Sequence, residues 1–383
     1  MDTRARNLSG RRSPGRTLGV LHPAFALTGV LHSIGGPLLP SLAAEFRLTD
    51  SESGYLFLAY YAGTSLGALL CGRNYARSIS LGFFALIFVC LAIAFTSGTF
   101  LHPLFLLLGI CVGMPMSAVT MLAGRIFGSR SAAALTFLNF SWSAGALIAP
   151  LFAARLLISH TYRSAYMILA FAAALAALAG WLGLEDPPEQ TASAVQRSTG
   201  VNVRFIVLFA VLTFLEVGIE NTTGSWLATY VLRTTAGGAA FAAASSSLYW
   251  WGFLASRGLS SLLLLRVDAF RLLGVSMAVA LLAALLLISF PGTAHHAVAM
   301  VVLGVALAPI FPLLLAGFFA RTRQSSDSRW ILSVCGFGGS VLPWLTGWIS
   351  AHWSSLRMGL ITLPIAILLM ISMLPVLAKW RPK

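Results

Sequence analysis

Charge is what this sequence has least of. Only 9% of its 383 residues are charged, and the acids number eleven. A water-soluble domain carries about a quarter charged residues, because its surface faces water. A chain this poor in charge and 58% hydrophobic has no aqueous surface of ordinary size, which excludes the soluble globular classes. Cysteine is scarce too. Cys71, Cys90, Cys111 and Cys335 fall in or beside apolar segments, without the spacing of a zinc site or a disulfide framework. There is no P-loop, no metal-ligand cluster, and no acid pair with a nucleophile or base on one loop. An ATP-driven pump or an enzyme therefore has nothing here to work with. The shortage of acids leaves a net charge of +14, with 23 of the 25 basic residues arginine. These sit at the ends of apolar runs and not on one patch or aromatic-interleaved stripe, so nucleic acid is not an expected partner.

What is abundant is the apolar run of about 20 residues, the length of a helix crossing a hydrocarbon core ~30 Å thick. In lipid the backbone must satisfy its own hydrogen bonds, so such runs are helices. Twelve spans follow: 17–43, 53–72, 78–97, 101–124, 132–154, 162–184, 204–232, 240–265, 272–290, 294–320, 330–352 and 354–378. The fold class is an all-α integral membrane protein of twelve transmembrane helices. Residues 1–16 form a basic tail, 17–184 one six-helix bundle, 185–203 a polar linker, 204–378 a second bundle and 379–383 a short tail. With the amino terminus inside, 19 basic residues fall on cytoplasmic segments and five, Arg47, Arg155, Arg163, Arg233 and Arg357, on the opposite side. That asymmetry puts both termini in the cytoplasm of an inner membrane. A cytoplasmic tail accounts for Arg4, Arg6, Arg11, Arg12 and Arg16 more simply than a cleaved leader does.

The halves repeat one another weakly. Tyr60-Tyr61-Ala62-Gly63 in span 2 returns as Tyr249-Trp250-Trp251-Gly252 in span 8. Leu108-Gly109 and Leu122-Ala123-Gly124 in span 4 return as Leu303-Gly304 and Leu315-Ala316-Gly317 in span 10. Offsets of 189 to 195 residues, in the same order and in corresponding spans, point to a duplicated six-helix unit with a site between the copies.

Nine of the eleven acids lie in loops or at helix ends; Glu216 and Glu220 do not. Counted from Arg204 they lie roughly 18 and 24 Å along span 7, and four residues apart they share a face. A charge at that depth costs ~2.5–3.5 kcal/mol or more, so it faces the protein interior or water and is functional by default. Two carboxyls this close in a poorly polar setting do not both stay ionised easily, and one can carry a proton, as a proton-coupled carrier requires. The competing reading is a structural glutamate satisfied by a neighbouring helix. Asn221, Thr222, Ser225 and Trp226 beside Glu220 suit a hydroxyl-rich ligand, as do His32 in span 1, Asn139 and Trp142 in span 5, and Tyr249 in span 8. A helix-packing role competes at each of these. Arg257, in span 8, is expected to snorkel toward the cytoplasmic end, or, if it lies deep, to find a glutamate. Ala308-Pro309-Ile310-Phe311-Pro312 should bend span 10, and Gly336 to Trp344 should bend and thin span 11.

Several of these stretches resemble the major facilitator superfamily, and within it the fucose:proton symporter and glucose/galactose porter group. They are Gly36-Pro37-Leu38-Leu39-Pro40, Phe46-Arg47-Leu48-Thr49, Ser53-Gly54-Tyr55, Tyr60-Tyr61-Ala62-Gly63, Glu220 to Leu227, Ala308 to Phe311-Pro312, and Gly338-Gly339 to Pro343-Trp344. The resemblance implies two pseudo-symmetric six-helix bundles around a central cavity, with alternating access by rocking. It also exposes departures. The superfamily's loop after span 2 carries an Asp with basic residues, whereas Arg73-Asn74-Tyr75-Ala76-Arg77 keeps only the bases. The fucose-type acids in the first and fourth helices fall on Gly36 and Met116 here, so proton coupling moves to Glu220, with Glu216 as its neighbour.

The expected function is therefore secondary transport: proton-coupled uptake of a sugar or similar polar solute by a monomer in the bilayer, without a cofactor. Sodium stays open as the coupling ion. A proton antiporter exporting amphipathic or drug-like compounds is the alternative, suggested by the abundant Phe, Met and Trp. A non-transporting receptor or lipid-binding protein is a third reading.

Overall fold

The computed structural model describes residues 14–127, 131–186, 203–289, 292–322 and 328–379. The basic residues ahead of Pro14, nearly all of the 185–203 linker and the last four residues lie outside the described residues.

The first half comprises α1 (Pro14–Ser33), α2 (Gly35–Phe46), α3 (Asp50–Leu70), α4 (Tyr75–Phe95), α5 (Leu101–Phe127), α6 (Ser131–Leu157) and α7 (Tyr162–Gly183). The second comprises α8 (Val203–Thr234), α9 (Ala239–Leu263), α10 (Ala269–Ser289), α11 (Thr293–Leu307), α12 (Ile310–Thr322), α13 (Ser328–His352), α14 (Leu356–Gly359) and α15 (Thr362–Ala378). Three of the twelve spans are built from two helices each: α1 with α2, α11 with α12, and α14 with α15. We call the face where α1 begins and α15 ends the terminal face, and the opposite one the distal face.

Local chemistry explains the boundaries. Thr49 and Glu52 form a reciprocal capping box at the start of α3. Asn74 caps α4 by accepting from the Arg77 N–H at 2.9 Å. Span 1 breaks at Ile34 with a bend of 43°; Pro37 follows Gly35-Gly36 and cannot donate to the carbonyl one turn back. Span 10 breaks at Ala308-Pro309, as its prolines require. Span 11 is one continuous helix, α13, which runs through Pro343. Its glycines act as a contact surface. A Cβ at Gly338 would collide with the Phe214 carbonyl, and one at Gly339 with the Asn221 amide, both on α8.

Composition sorts the helices by position. Among the described residues, α4, α5, α6, α7, α10, α11 with α12, and α14 with α15 give seven spans long and apolar enough to cross a membrane, and the bent pair α1 with α2 an eighth. Of these, α4, α7, α10 and α15 turn large side chains outward, including Phe88, Phe95, Phe171, Leu282 and Leu368. In water such a belt would aggregate; in hydrocarbon it is the solvated surface. The spans that fall short, α3, α8, α9 and α13, pack across the two halves, α3 on α13, α9 on α6 and α8 on α2. Polar and small residues lower their apolarity because they line the interior, not the lipid.

One element of the first half is held by a residue of the linker's edge. The Asp186 carboxylate accepts from the backbone N–H groups of Tyr75 at 3.0 Å and Ala76 at 2.9 Å, at the first turn of α4. The loop after span 2, which has no acid of its own, thus receives one from beyond α7. Arg125 closes the same corner, donating to the Arg73 carbonyl at 3.2 Å and lying 4.2 Å over the Tyr75 ring. Asp186→Ala should destabilise the protein by about 1 kcal/mol, the usual cost of losing such a cap, read as a lower unfolding temperature of the detergent-solubilised chain.

Candidate functional site

The two halves meet at mid-depth through polar bonds between α8 and the first half. His32 Nε2 lies 3.1 Å from Asn221 Oδ1, and the Tyr61 and Ser225 hydroxyls are 3.1 Å apart. His32 and Asn221 are 189 residues apart, the offset of the internal repeat. Repeat-related residues touch each other only on the axis relating the copies, so this bond marks the axis.

Aromatic rings surround it. The His32 ring lies 5.3 Å from Tyr61 and 5.2 Å from Trp142, and Trp142 lies 6.0 Å from Trp250 across the halves. Arg257 does not snorkel. It reaches from α9 into the other half, where Nη1 donates to the Ser143 hydroxyl at 2.7 Å, and its guanidinium sits 4.6 Å over Phe253 and 5.6 Å over Trp142. It is also within electrostatic reach of Glu216 and Glu220, without an ion pair to either among the described residues.

The glutamates differ. Glu216 is fully buried, and among the described residues neither carboxyl oxygen has a hydrogen-bond partner. Glu220, one turn nearer the distal face, is half-buried and stands next to Asn221 on the axis. Tyr249 is fully buried with its hydroxyl unpartnered among the described residues, within electrostatic reach of both glutamates.

Two residues expected in the lining fall elsewhere. Trp226 is fully buried, packs on Phe57 at 5.7 Å, and donates its indole N–H to the Pro343 carbonyl at 2.9 Å. It ties α8 to α13 and presents no face to a ligand. Asn139 is exposed, one turn from Ser143 toward the terminal face, and apart from the cluster. The cluster also holds Tyr61, Ser143 and Trp250, which the sequence does not single out as lining, whereas Ser225, expected beside Glu220, is in it. For Tyr61 and Trp250 the signal was present: they are equivalent members of the repeated Tyr-Tyr and Tyr-Trp pairs. Ser143, beside Trp142, belongs to no repeated pair and offers no such signal.

Distal to the cluster, the halves close on one another. A Cβ built at Gly36 would collide with the Gly224 carbonyl, and one at Gly54 would come within 2.9 Å of the Trp344 carbonyl. A latch lies beyond them. Asp50, at the head of α3, accepts from Arg233 Nη1 and Nη2 at 2.7 and 2.6 Å and from the Ser350 hydroxyl of α13. Burial alone would raise the Asp50 carboxyl, but the bonds from Arg233 and Ser350 outweigh it and hold it below the ordinary 3.8. The ionised latch is therefore complete above that ordinary value and is lost only as pH falls through the depressed one. Hydrogen exchange at the heads of α3 and the tail of α13, corrected for intrinsic rates, should show the same protection from pH 5 to 8. Arg233→Gln should lower it throughout that range.

The Major Facilitator Superfamily model matches residues 21–329. The chain belongs to the major facilitator superfamily. It is a transporter, not an enzyme, and the twelve helices are two pseudo-symmetric bundles of six. Among solved structures, this transporter is similar to the D-xylose-proton symporter, at 14% identity over 93% of this chain and 97% of that one, with a TM-score of 0.75. A bacterial homologue of the human lysosomal transporter Spinster, inward-facing and occupied, matches at 15% identity over 97% of both chains, with a TM-score of 0.71. The E. coli fucose:proton symporter matches at 18% identity over 96% of this chain and 98% of that one, with a TM-score of 0.61. At such identities these likenesses speak for the fold. A search of curated proteins found no significant relative.

Proposed function

We propose that this transporter carries a sugar or similar hydroxyl-rich solute into the cell with protons, working as a monomer in the inner membrane with both termini cytoplasmic. The distal face is then periplasmic, and the distal contacts correspond to a state closed to the outside. The observation that carries the reading is the bond pair His32–Asn221 and Tyr61–Ser225 beside Glu220. Amide, imidazole and hydroxyl groups that satisfy one another across the axis can instead be satisfied by a polyol between them, and the Trp142 and Trp250 rings offer apolar faces to a pyranose. Glu220 takes the proton and bonds to the solute. Glu216 is the second proton position, and Arg257 balances whichever glutamate is ionised. No cofactor enters this scheme; proton is preferred to sodium because a carboxyl without a set of oxygen ligands around it binds a proton more readily than a metal ion. The names of the fucose and D-xylose symporters agree with this choice of solute and ion.

The second reading, proton-driven export of an amphipathic compound, is favoured by the aromatic share of the lining: Trp142, Trp250 and Phe253. Counterflow in proteoliposomes separates the two. A panel of monosaccharides and hydrophobic cations, run at pH 6 and 8, should show exchange of at least one sugar. Exchange confined to the hydrophobic cations would overturn the uptake reading in favour of export.

A further inference from the structure

Away from the central cluster, the distal end of the second half holds a cavity of about 290 Å³ between the end of α8 and the first turns of α9 and α11. Val231 and Thr235 form one wall, Leu248 another, and His296 and Met300 the third. The internal repeat makes this cavity unexpected. In the first half, Phe46 and Leu101 stand at the positions equivalent to Thr235 and His296. Phe46 packs on Tyr162 at 5.7 Å and fills the space beside Gly98, and Leu101 is fully buried. In the first copy of this corner, a ring and an aliphatic side chain occupy these two places. The second has lost the phenylalanine and exchanged the leucine for a histidine.

That histidine lacks partners. His296 is fully buried, and among the described residues neither ring nitrogen has a hydrogen bond. Tyr230 lies 5.2 Å from it, ring to ring, and the tyrosine hydroxyl donates to the Leu287 carbonyl. A neutral imidazole offers one donor and one acceptor, and leaving both unmet in an apolar wall is costly. Among the described residues no hydroxyl of the lining bonds the ring; those of Thr235 and Ser245 donate to the Val231 and Phe241 carbonyls, each at 2.8 Å. The matching ligand brings hydroxyls for the ring and an alkyl part for Val231, Leu248 and Met300.

We propose that this cavity binds a small amphiphile with a glycerol-type diol head, its hydroxyls on the His296 ring and its chain along the apolar wall. Free monoacylglycerol and the glycerol head of a membrane phosphatidylglycerol share this chemistry. Val231 and Thr235 bracket Arg233, so the occupant rests against the segment that latches the distal face.

The test uses the full chain in phosphatidylcholine nanodiscs with radiolabelled 1-octanoylglycerol. Binding should be saturable and at least tenfold weaker in Thr235→Phe and His296→Leu, each of which installs the first half's residue. His296→Gln, which keeps a donor and an acceptor, should retain most of the affinity, and Glu220→Gln should leave it unchanged. Folding of each variant is checked by thermal unfolding. Phosphatidylglycerol in the disc displaces the probe if the lipid is the resident; without displacement the free amphiphile is. No saturable binding, equal affinity in Thr235→Phe and His296→Leu, or loss in Glu220→Gln overturns the proposal, the last because the probe then sits in the central site.

Discussion

Glu220→Gln should abolish uphill, pH-dependent uptake, by at least a hundredfold in proteoliposomes, while solute counterflow falls less than tenfold. The contrast follows from what glutamine keeps and loses. It has the size of the protonated acid and can still bond to the solute beside Asn221, so the loaded carrier can cycle between its two faces. It cannot release a proton, so the gradient has nothing to act on. Glu216 has no such access: it is fully buried and sits a turn away from the His32–Asn221 bond. Glu216→Gln should therefore slow uptake without removing its dependence on the proton gradient. Should accumulation against a gradient persist unchanged in Glu220→Gln, the coupling assignment fails and Glu216 inherits it.

Gly36→Ala should stop transport as completely without touching a charged group. At this point α2 and α8 cross so closely that a single methyl would overlap the Gly224 carbonyl and crowd Ser225. Small residues permit such backbone approach between membrane helices, and the contact itself supplies part of the association. The methyl leaves each half intact but denies them their distal contact, so the protein should rest open on the distal face. The expected result is an unfolding temperature close to the parent's, faster hydrogen exchange over 36–47 and 224–234, and uptake reduced a hundredfold or more. Normal uptake would mean that the crossing adjusts and the closure is not obligatory.

The same crossing explains a departure legible in the sequence. The fucose-type acid of the first helix falls on Gly36, and the structure leaves no room there for any side chain. Much else could be read in advance. All twelve spans, laid out from apolar run length, agree with the helices to within a few residues, because in a bilayer run length and helix length are the same constraint. Repeat offsets of 189 to 195 residues pointed to a doubled six-helix unit. The depth of Glu216 and Glu220 followed from counting along one helix. What could not be read was direction. Trp226 and Trp142 look alike in sequence, yet one donates inward to Pro343 and the other faces His32. Arg257 could have risen to the terminal face or turned inward, and Ser143 on another helix decides between the two. Asp186 caps a helix more than a hundred residues away, which no local pattern announces.

The bond between His32 and Asn221 has a consequence for the protein's ancestry. When a six-helix unit is doubled, a residue on the axis of the product meets its own copy. Identical side chains there are a poor match: two imidazoles or two amides can pair only by dividing donor and acceptor roles between equals, and two carboxylates repel. The gene copies are therefore driven apart first at the axis, while surrounding positions such as Tyr60 and Tyr249, which never meet their own counterparts, stay alike. An ancestral pair of identical units would have lacked the unlike partners that now face each other on the axis.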